Sequence, residues 1–174
     1  ILVMYNNMRK IQKPKISIIT VVKNGMPYIE DSINSFNSQE YKNKELIVVC
    51  SKSFDGTEEF LNKSKHKIDK LLFDNKSKNK YGSINLGIQN STGDLIGVLH
   101  SDDFFVNENV LKKIALVHKK DKNIDLTYGN VLFCKRNNIK KISRYWKSNT
   151  YKENLIDKGW MPPHTTLFVK KKNL

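Results

Sequence analysis

Four short apolar runs, each separated from the next by a stretch with helical spacing, restrict this chain to few folds. Residues 15–22 (KISIITVV), 45–50 (ELIVVC), 68–73 (IDKLLF) and 94–99 (DLIGVL) are dominated by β-branched and aliphatic side chains. Such runs read as buried strands. Pro14 suits the start of the first, and Asn24 with Gly25 ends it. Pro27 fits a first helical turn, after which Ile29, Ile33 and Phe36 recur on one helical face. Asp55, followed three residues later by Glu58, resembles a capping box for a second helix. Residues 81–90 carry Ile84 and Ile88 on one face, with Gly93 as a C-terminal stop. Asn107 or Asn109 caps a fourth helix, whose expected core face is Val110, Ile114 and Val117. A strand at 124–128, a hairpin of 131–134 with 140–146 through Asn137 and Asn138, and a last strand at 165–169 complete the pattern. There is no internal repeat.

Strands alternating with helices predict an α/β, Rossmann-like fold: a mostly parallel sheet flanked by helices, with a small β-rich extension at the C-terminal end. Ligands of such sheets bind beyond the carboxyl ends of the strands. Three segments fall there: 20–24, 50–55 and 100–103. The last holds Asp102 and Asp103, two adjacent carboxylates at the mouth of a core strand. One reading is a divalent cation, Mn²⁺ or Mg²⁺, shared with substrate phosphates. The other is a solvated turn leading into the next helix. Lys76, Lys78 and Lys80 precede the third helix, where they and the positive helix end suit phosphates, or form an exposed charged loop.

At 174 residues the chain is long enough for one domain with a real core. With 39% hydrophobic and 28% charged residues it is neither disordered nor membrane-like. No apolar stretch approaches the roughly 18 residues of a spanning helix, and the opening ILVMY is too short for a signal-peptide core. Cys50 and Cys134, far apart in sequence, read as free thiols in the cytoplasm. The net charge of +14 admits three readings: solvated faces, an anionic membrane surface or anionic substrate, and nucleic acid. Nucleic acid ranks last, because only Arg9, Arg136 and Arg144 supply guanidinium forks. Solvated faces rank first; lysine clusters, which anionic lipid attracts, make peripheral membrane contact the next reading.

Five segments occur in register: KISIITVVKNG, NSFNSQEYKNKELIVVCSKSFDGT, NLGIQNSTGDLIGVLHSDDFF, LTYGNVLF and GWMPPHTTLFVKK. Together, from about residue 14 to 171, they resemble the family-2 glycosyltransferases with the GT-A fold, such as those building bacterial surface polysaccharides. The resemblance implies transfer of a sugar from a nucleotide-diphospho-sugar donor to a hydroxyl of a glycan or lipid-linked acceptor, metal-assisted and with inversion. It implies that Ser101, Asp102 and Asp103 are the DXD-type motif, with Asp103 and Asp102 at the cation and Asp102 nearer the donor. It places Thr20, Val21, Val22, Lys23 and Asn24 along the nucleotide. Ser51, Lys78, Asn79 and Asn85 join them on the donor side. Asn85, in the family's N-x-G segment with Gly87, also suits a backbone hydrogen bond of its own. A cytoplasmic location, at the inner face of the membrane, is the corresponding expectation.

The chain departs from that pattern in three places. Relatives carry acids or glycine after the second strand, where this chain has Cys50 and Ser51. Two acids of a D-K-G-I-Y-D-A-M-N segment are replaced in residues 77–85. The family's usual general base is an acid in a helix beyond the LFVKK strand. The chain stops at Leu174, so residues 131–174 read as the start of a truncated acceptor-side region. Residues 14–130 then form the donor-binding core, and 1–13 an N-terminal extension. His164 is the late residue whose ordinary pKa suits a base; its alternative is packing beside Trp160, Pro162 and Pro163. Trp160 and Met161 suit a sugar-stacking platform or core packing. His100 reads as a strand-end residue, and His66 and His118 as members of polar helix ends. A catalytically incomplete nucleotide-binding remnant and a basic nucleic-acid-binding protein are the alternative functions.

Overall fold

A computed structural model describes residues 13–77 and 79–174. Residues 1–12 of the expected extension, and Lys78, lie outside the described residues. Six strands form one sheet in the order β3-β2-β1-β4-β8-β5. They are β1 (Ile16–Val22), β2 (Lys44–Cys50), β3 (Lys70–Phe73), β4 (Leu95–Val98), β5 (Leu126–Thr127) and β8 (Phe168–Lys170). The four strands β1 to β4 pair in parallel. β8 enters antiparallel between β4 and β5. The remaining strands, β6 (Val131–Lys135) and β7 (Asn138–Trp146), form a separate antiparallel hairpin. The expected mostly parallel α/β sheet with a small β-rich extension is therefore present.

Helices α1 (Ile29–Asn37), α2 (Thr57–Lys63) and α4 (Val110–Lys120) contribute to one core on a single face of the sheet. Ile16, Ile18 and Val22 of β1 meet Ile33, Phe36, Leu61 and Leu111 there. Each such side chain contributes roughly 1.5–3 kcal/mol by leaving water. The pleat turns Ile19 to the opposite face, toward α3 (Lys80–Asn90). Gly87 lets α3 come close, since a Cβ there would lie 2.5 Å from Ile19 Cγ2. On the first face, a Cβ at Gly97 would lie 2.6 Å from the Phe168 ring, its neighbour across the β4–β8 ladder.

At the amino ends of the strands, the buried Glu45 carboxylate accepts from Lys15 Nζ (2.8 Å), Ser17 Oγ, and both the N–H and hydroxyl of Thr92 (2.6 and 2.8 Å). Burial alone would raise its pKa; the hydrogen bonds from Lys15, Ser17 and Thr92 outweigh that and hold it near 2. This network fastens the end of the sheet opposite the site.

Several local expectations need correction. α1 starts at Ile29 after Tyr28, so Pro27 lies before the helix. Gly56 is the N-cap of α2, with φ +88°, and Glu58 reaches back to the N–H of Ser53 (2.8 Å). Gly93 is required for close approach to Ser17 Oγ (2.4 Å from a Cβ), while α3 ends at Ser91 in extended backbone. The buried stripe of α4 is Leu111, Ala115 and His118, one residue round from the expected one. His118 is thus a buried residue, with Nε2 3.3 Å from Thr127 Oγ1. The last strand begins three residues later than expected, because residues His164–Thr166 form a 3₁₀ turn. Thr166 Oγ1 holds that turn by accepting from Gly129 N (3.0 Å) and donating to Pro163 O (2.8 Å).

Candidate functional site

The strand order reverses between β1 and β4: β2 and β3 extend the sheet on one side of β1, β4 and β8 on the other. Loops diverge at such a switch point and leave a crevice outside the carboxyl ends. β1 and β2 run in register to Val22 and Cys50, whereas β4 pairs with β1 only as far as Ile19 and Val98. The chain after β4 therefore turns off below the rim set by β1, β2 and β3. A cleft of about 670 Å³ lies there, between Val21, Val22 and Lys23 of β1, Ser51 and Lys52 after β2, Asp74 after β3, and His100 after β4.

Side chains bind the β1–α1 and β2–α2 loops to each other. Asn24, with φ +51°, donates its N–H to Ser53 Oγ (3.0 Å), and its side-chain oxygen accepts from Phe54 N (2.9 Å). Gly25 N donates to Thr57 Oγ1 (2.8 Å), and Met26 N to Asp55 Oδ2 (2.9 Å). Thr57 Oγ1 in turn donates to Asp55 Oδ1 (2.6 Å). Asp55 is thus less a helix cap than a clamp between two loops. This wall of the cleft is thus held by hydrogen bonds within the protein itself.

Asp74 is a cleft residue that the sequence reading missed. Its carboxylate is buried and accepts from Ser83 Oγ (2.7 Å), Lys76 N (3.0 Å) and Ser77 N (3.0 Å). Ser77 foremost, then Ser83 and Lys76, hold it well below the usual carboxylate range despite burial. The available signal was position: Asp74 directly follows β3, at the same rim as Asp102 and Asp103. Its oxygens bring a carboxylate into the cleft from the strand beside Ser51.

Asp102 and Asp103 do not line this cleft; they follow its lining residue His100 in the turn after β4. Asp103 N donates to His100 O (3.0 Å), and buried Ser32 of α1 donates to the same carbonyl (3.3 Å). The Asp103 side chain is half-buried and Asp102 is exposed. Burial first, and Asp102 second, push the Asp103 carboxyl above its ordinary pKa, against the pull of His100 and His164. Burial lowers the His100 imidazole, with His164 and Lys80 adding to it and Asp103 and Asp102 opposing. The His100 and His164 rings stand edge to face, 5.6 Å between centroids. Two residues read separately in the sequence thus meet beside the acid pair, with His100 just past the end of β4 as expected.

The remaining predicted residues divide by location. Val21, Val22, Lys23, Ser51 and Asn79 line the cleft. Asn79 is also the N-cap of α3, its side chain accepting from Tyr81 N (3.0 Å) and Gly82 N (3.2 Å). Thr20 is buried on the sheet face toward α1, not in the cleft, and its Oγ1 finds no partner among the described residues. Asn85 is exposed on α3, and Ser101 is half-buried in the β4 turn; neither lines the cleft. Trp160 packs edge to face on Tyr128 (5.7 Å) and beside Tyr151 (5.9 Å), and Met161 is exposed.

The profile of the family described as "Glycosyl transferase family 2" matches residues 17–171. The chain belongs to glycosyl transferase family 2. An uncharacterized glycosyltransferase of Haemophilus influenzae is 34% identical to this family-2 chain over 123 residues, 70% of this chain and 48% of that protein. The Campylobacter jejuni GalNAc(5)-diNAcBac-PP-undecaprenol beta-1,3-glucosyltransferase is 28% identical over 131 residues, 74% of this chain and 41% of the other. This chain therefore spans less than half the length of these curated relatives. Among solved structures, a mannosyltransferase of Pyrobaculum calidifontis, in complex with GDP-Man and Mn²⁺, has a TM-score of 0.67 at 17% identity. That likeness covers 92% of this chain and 46% of the other, and it shows the shared GT-A fold.

A divalent cation fits the acids of the β4 turn. Adjacent carboxylates, one of them half-buried with its proton affinity raised, gain from a positive charge between them. Among the described residues, no three His, Cys, Asp or Glu side chains converge to enclose an ion. A cation held there would take further oxygen ligands from a bound molecule or water.

Proposed function

We propose that this chain is the donor-binding part of a transferase that moves a sugar from a nucleotide-diphospho-sugar to a hydroxyl. The observation that carries this reading is the cleft at the switch point, walled by Ser51, Asp74, Lys80 and His100, with Asp102 and Asp103 following His100 in the same turn. Val21, Val22 and Lys23 form the floor for the nucleotide. Ser51 and Asp74 offer a hydroxyl and a carboxylate to its polar edges, and Lys23, Lys52 and Lys80 face its negative charge. Asp103 and Asp102 would hold Mn²⁺ or Mg²⁺, which supplies charge neutralisation for the departing diphosphate.

In the step itself, the acceptor oxygen forms the new bond to the anomeric carbon as the bond from that carbon to the diphosphate oxygen breaks. The electron pair leaves with the diphosphate, and the anomeric centre inverts. His164, exposed beside His100 at the acid corner, accepts the acceptor's hydroxyl proton. The acceptor is a glycan or lipid-linked hydroxyl, reached from the cytoplasm at an anionic membrane surface. The high positive charge and the lipid-linked acceptor named for the Campylobacter relative support this choice.

Titration calorimetry with UDP, GDP and dTDP, with and without Mn²⁺, tests the reading. One nucleotide binds, Mn²⁺ tightens it, and Asp103→Asn removes the Mn²⁺ increment of about tenfold or more. Binding of none of the three, or a Mn²⁺ effect unchanged by Asp103→Asn, overturns it.

A further inference from the structure

Residues 126–152 contain seven lysines and arginines and no aspartate or glutamate. The β6–β7 hairpin forms the middle of this stretch. Its surface is also unusually apolar: Ile139 and Ile142 are each 55% exposed, Tyr145 54% and Leu132 42%. The register pairs Leu132 with Tyr145 on one face of the ribbon and, past a bulge at Ser143, Cys134 with Ile142; Ile139 follows in the irregular stretch before the Asn138–Lys135 pair. The opposite face carries Phe133 and Arg144, whose guanidinium lies over the Phe133 and Trp146 rings (5.2 and 5.9 Å). At the turn, the Arg136 guanidinium lies 4.9 Å from the ring of Tyr28. The hairpin is therefore held against the loop that leads from β1 to α1, on the site side of the molecule.

We propose that this hairpin docks the protein on an anionic lipid surface, with Ile139, Ile142 and Tyr145 entering the headgroup boundary and Lys140 and Lys141 facing lipid phosphates. Interleaved aliphatic, aromatic and basic side chains without acids match that interface on two counts, apolar depth and charge. Lysine stems add apolar length while their ammonium groups stay with the phosphates. A nucleic acid would use the cations but leave the aliphatic tips in water. The proposal rests on the reading above only for the choice of lipid as partner.

Sedimentation with vesicles tests it, using phosphatidylcholine alone and phosphatidylcholine mixed with phosphatidylglycerol. The wild-type chain co-sediments with the anionic vesicles only. Lys140→Glu with Lys141→Glu, and separately Ile139→Ser with Ile142→Ser, each lower that affinity by about tenfold or more. A charge-matched control on α4, Lys113→Glu with Lys120→Glu, changes it little. Circular dichroism and nucleotide calorimetry on the same variants report whether fold and cleft are intact, so loss of lipid binding is separable from loss of donor binding. Wild-type protein that ignores anionic vesicles overturns the docking. Vesicle binding retained by both hairpin variants overturns the assignment to this hairpin. Tighter binding to duplex DNA than to the vesicles, lost in the same variants, overturns lipid in favour of nucleic acid.

Discussion

The cleft rim and the β6–β7 hairpin are supported in opposite ways. In the rim, the loops after β1 and β2 share hydrogen bonds through Asn24, Ser53, Asp55 and Thr57, above a layer of fully buried side chains. The hairpin has its own ladder, with shifts in register between Phe133 and Lys135, and leaves most of its side chains in solvent. Rigidity is thus concentrated where a nucleotide would need a preformed wall. Chemical variety is concentrated where an acceptor or a surface would approach. A site needs the first to orient its donor, and the second tolerates sequence change without loss of the fold.

Substitutions put this contrast at risk in graded steps. Ile47→Ala, at a side chain with no exposure, should cost roughly 2–5 kcal/mol in urea unfolding. Glu45→Gln should remove a pH-dependent contribution on the order of 3 kcal/mol. The folded pKa, about 2, lies below the ordinary 4.5, so this stability is present above 4.5 and is lost as the pH falls through 2. Unfolding midpoints at pH 7 and pH 3 should therefore converge in the variant relative to wild type. Thr57→Val leaves the buried Gly25 N–H without its acceptor and should cost about 1–2 kcal/mol. Faster amide exchange at Gly25 and Met26 is the local readout. Ile142→Ser, at an exposed hairpin position, should change stability by less than about 0.5 kcal/mol. A large loss at Ile142, or none at Thr57, would reverse the ranking of the two regions.

Legibility in the sequence followed the same division. The strands β1, β2 and β4 and the helix α1 were readable because local spacing and burial agree. α4 was readable as a helix, but not in its orientation. VLKKIALVHKK presents two apolar stripes side by side. The packed one is chosen by partners distant in sequence: Gln39 Oε1 accepting from Leu111 N, and Thr127 beside His118. The antiparallel insertion of β8 also depends on such partners, since its three residues carry little periodicity of their own.

At the site, strand-end position pointed to Lys23, Ser51 and the acid pair. It also pointed to Thr20, which the pleat turns inward, away from the cleft. Asp74 passed unnoticed because it stands alone after a short strand; its importance comes from Ser77 and Ser83 folding back onto it. The meeting of His100 and His164 across residues 101–163 is a product of topology, which no local pattern encodes.

The path of the chain around β8 has an engineering consequence. The polypeptide leaves the sheet at β5, makes the hairpin, and re-enters at the adjacent strand β8. Both feet of this excursion are clamped side by side, one strand away from the turn that bears Asp103. A hairpin of different length or composition in place of residues 131–146 should therefore leave the parallel strands in register, with the His164 turn kept intact.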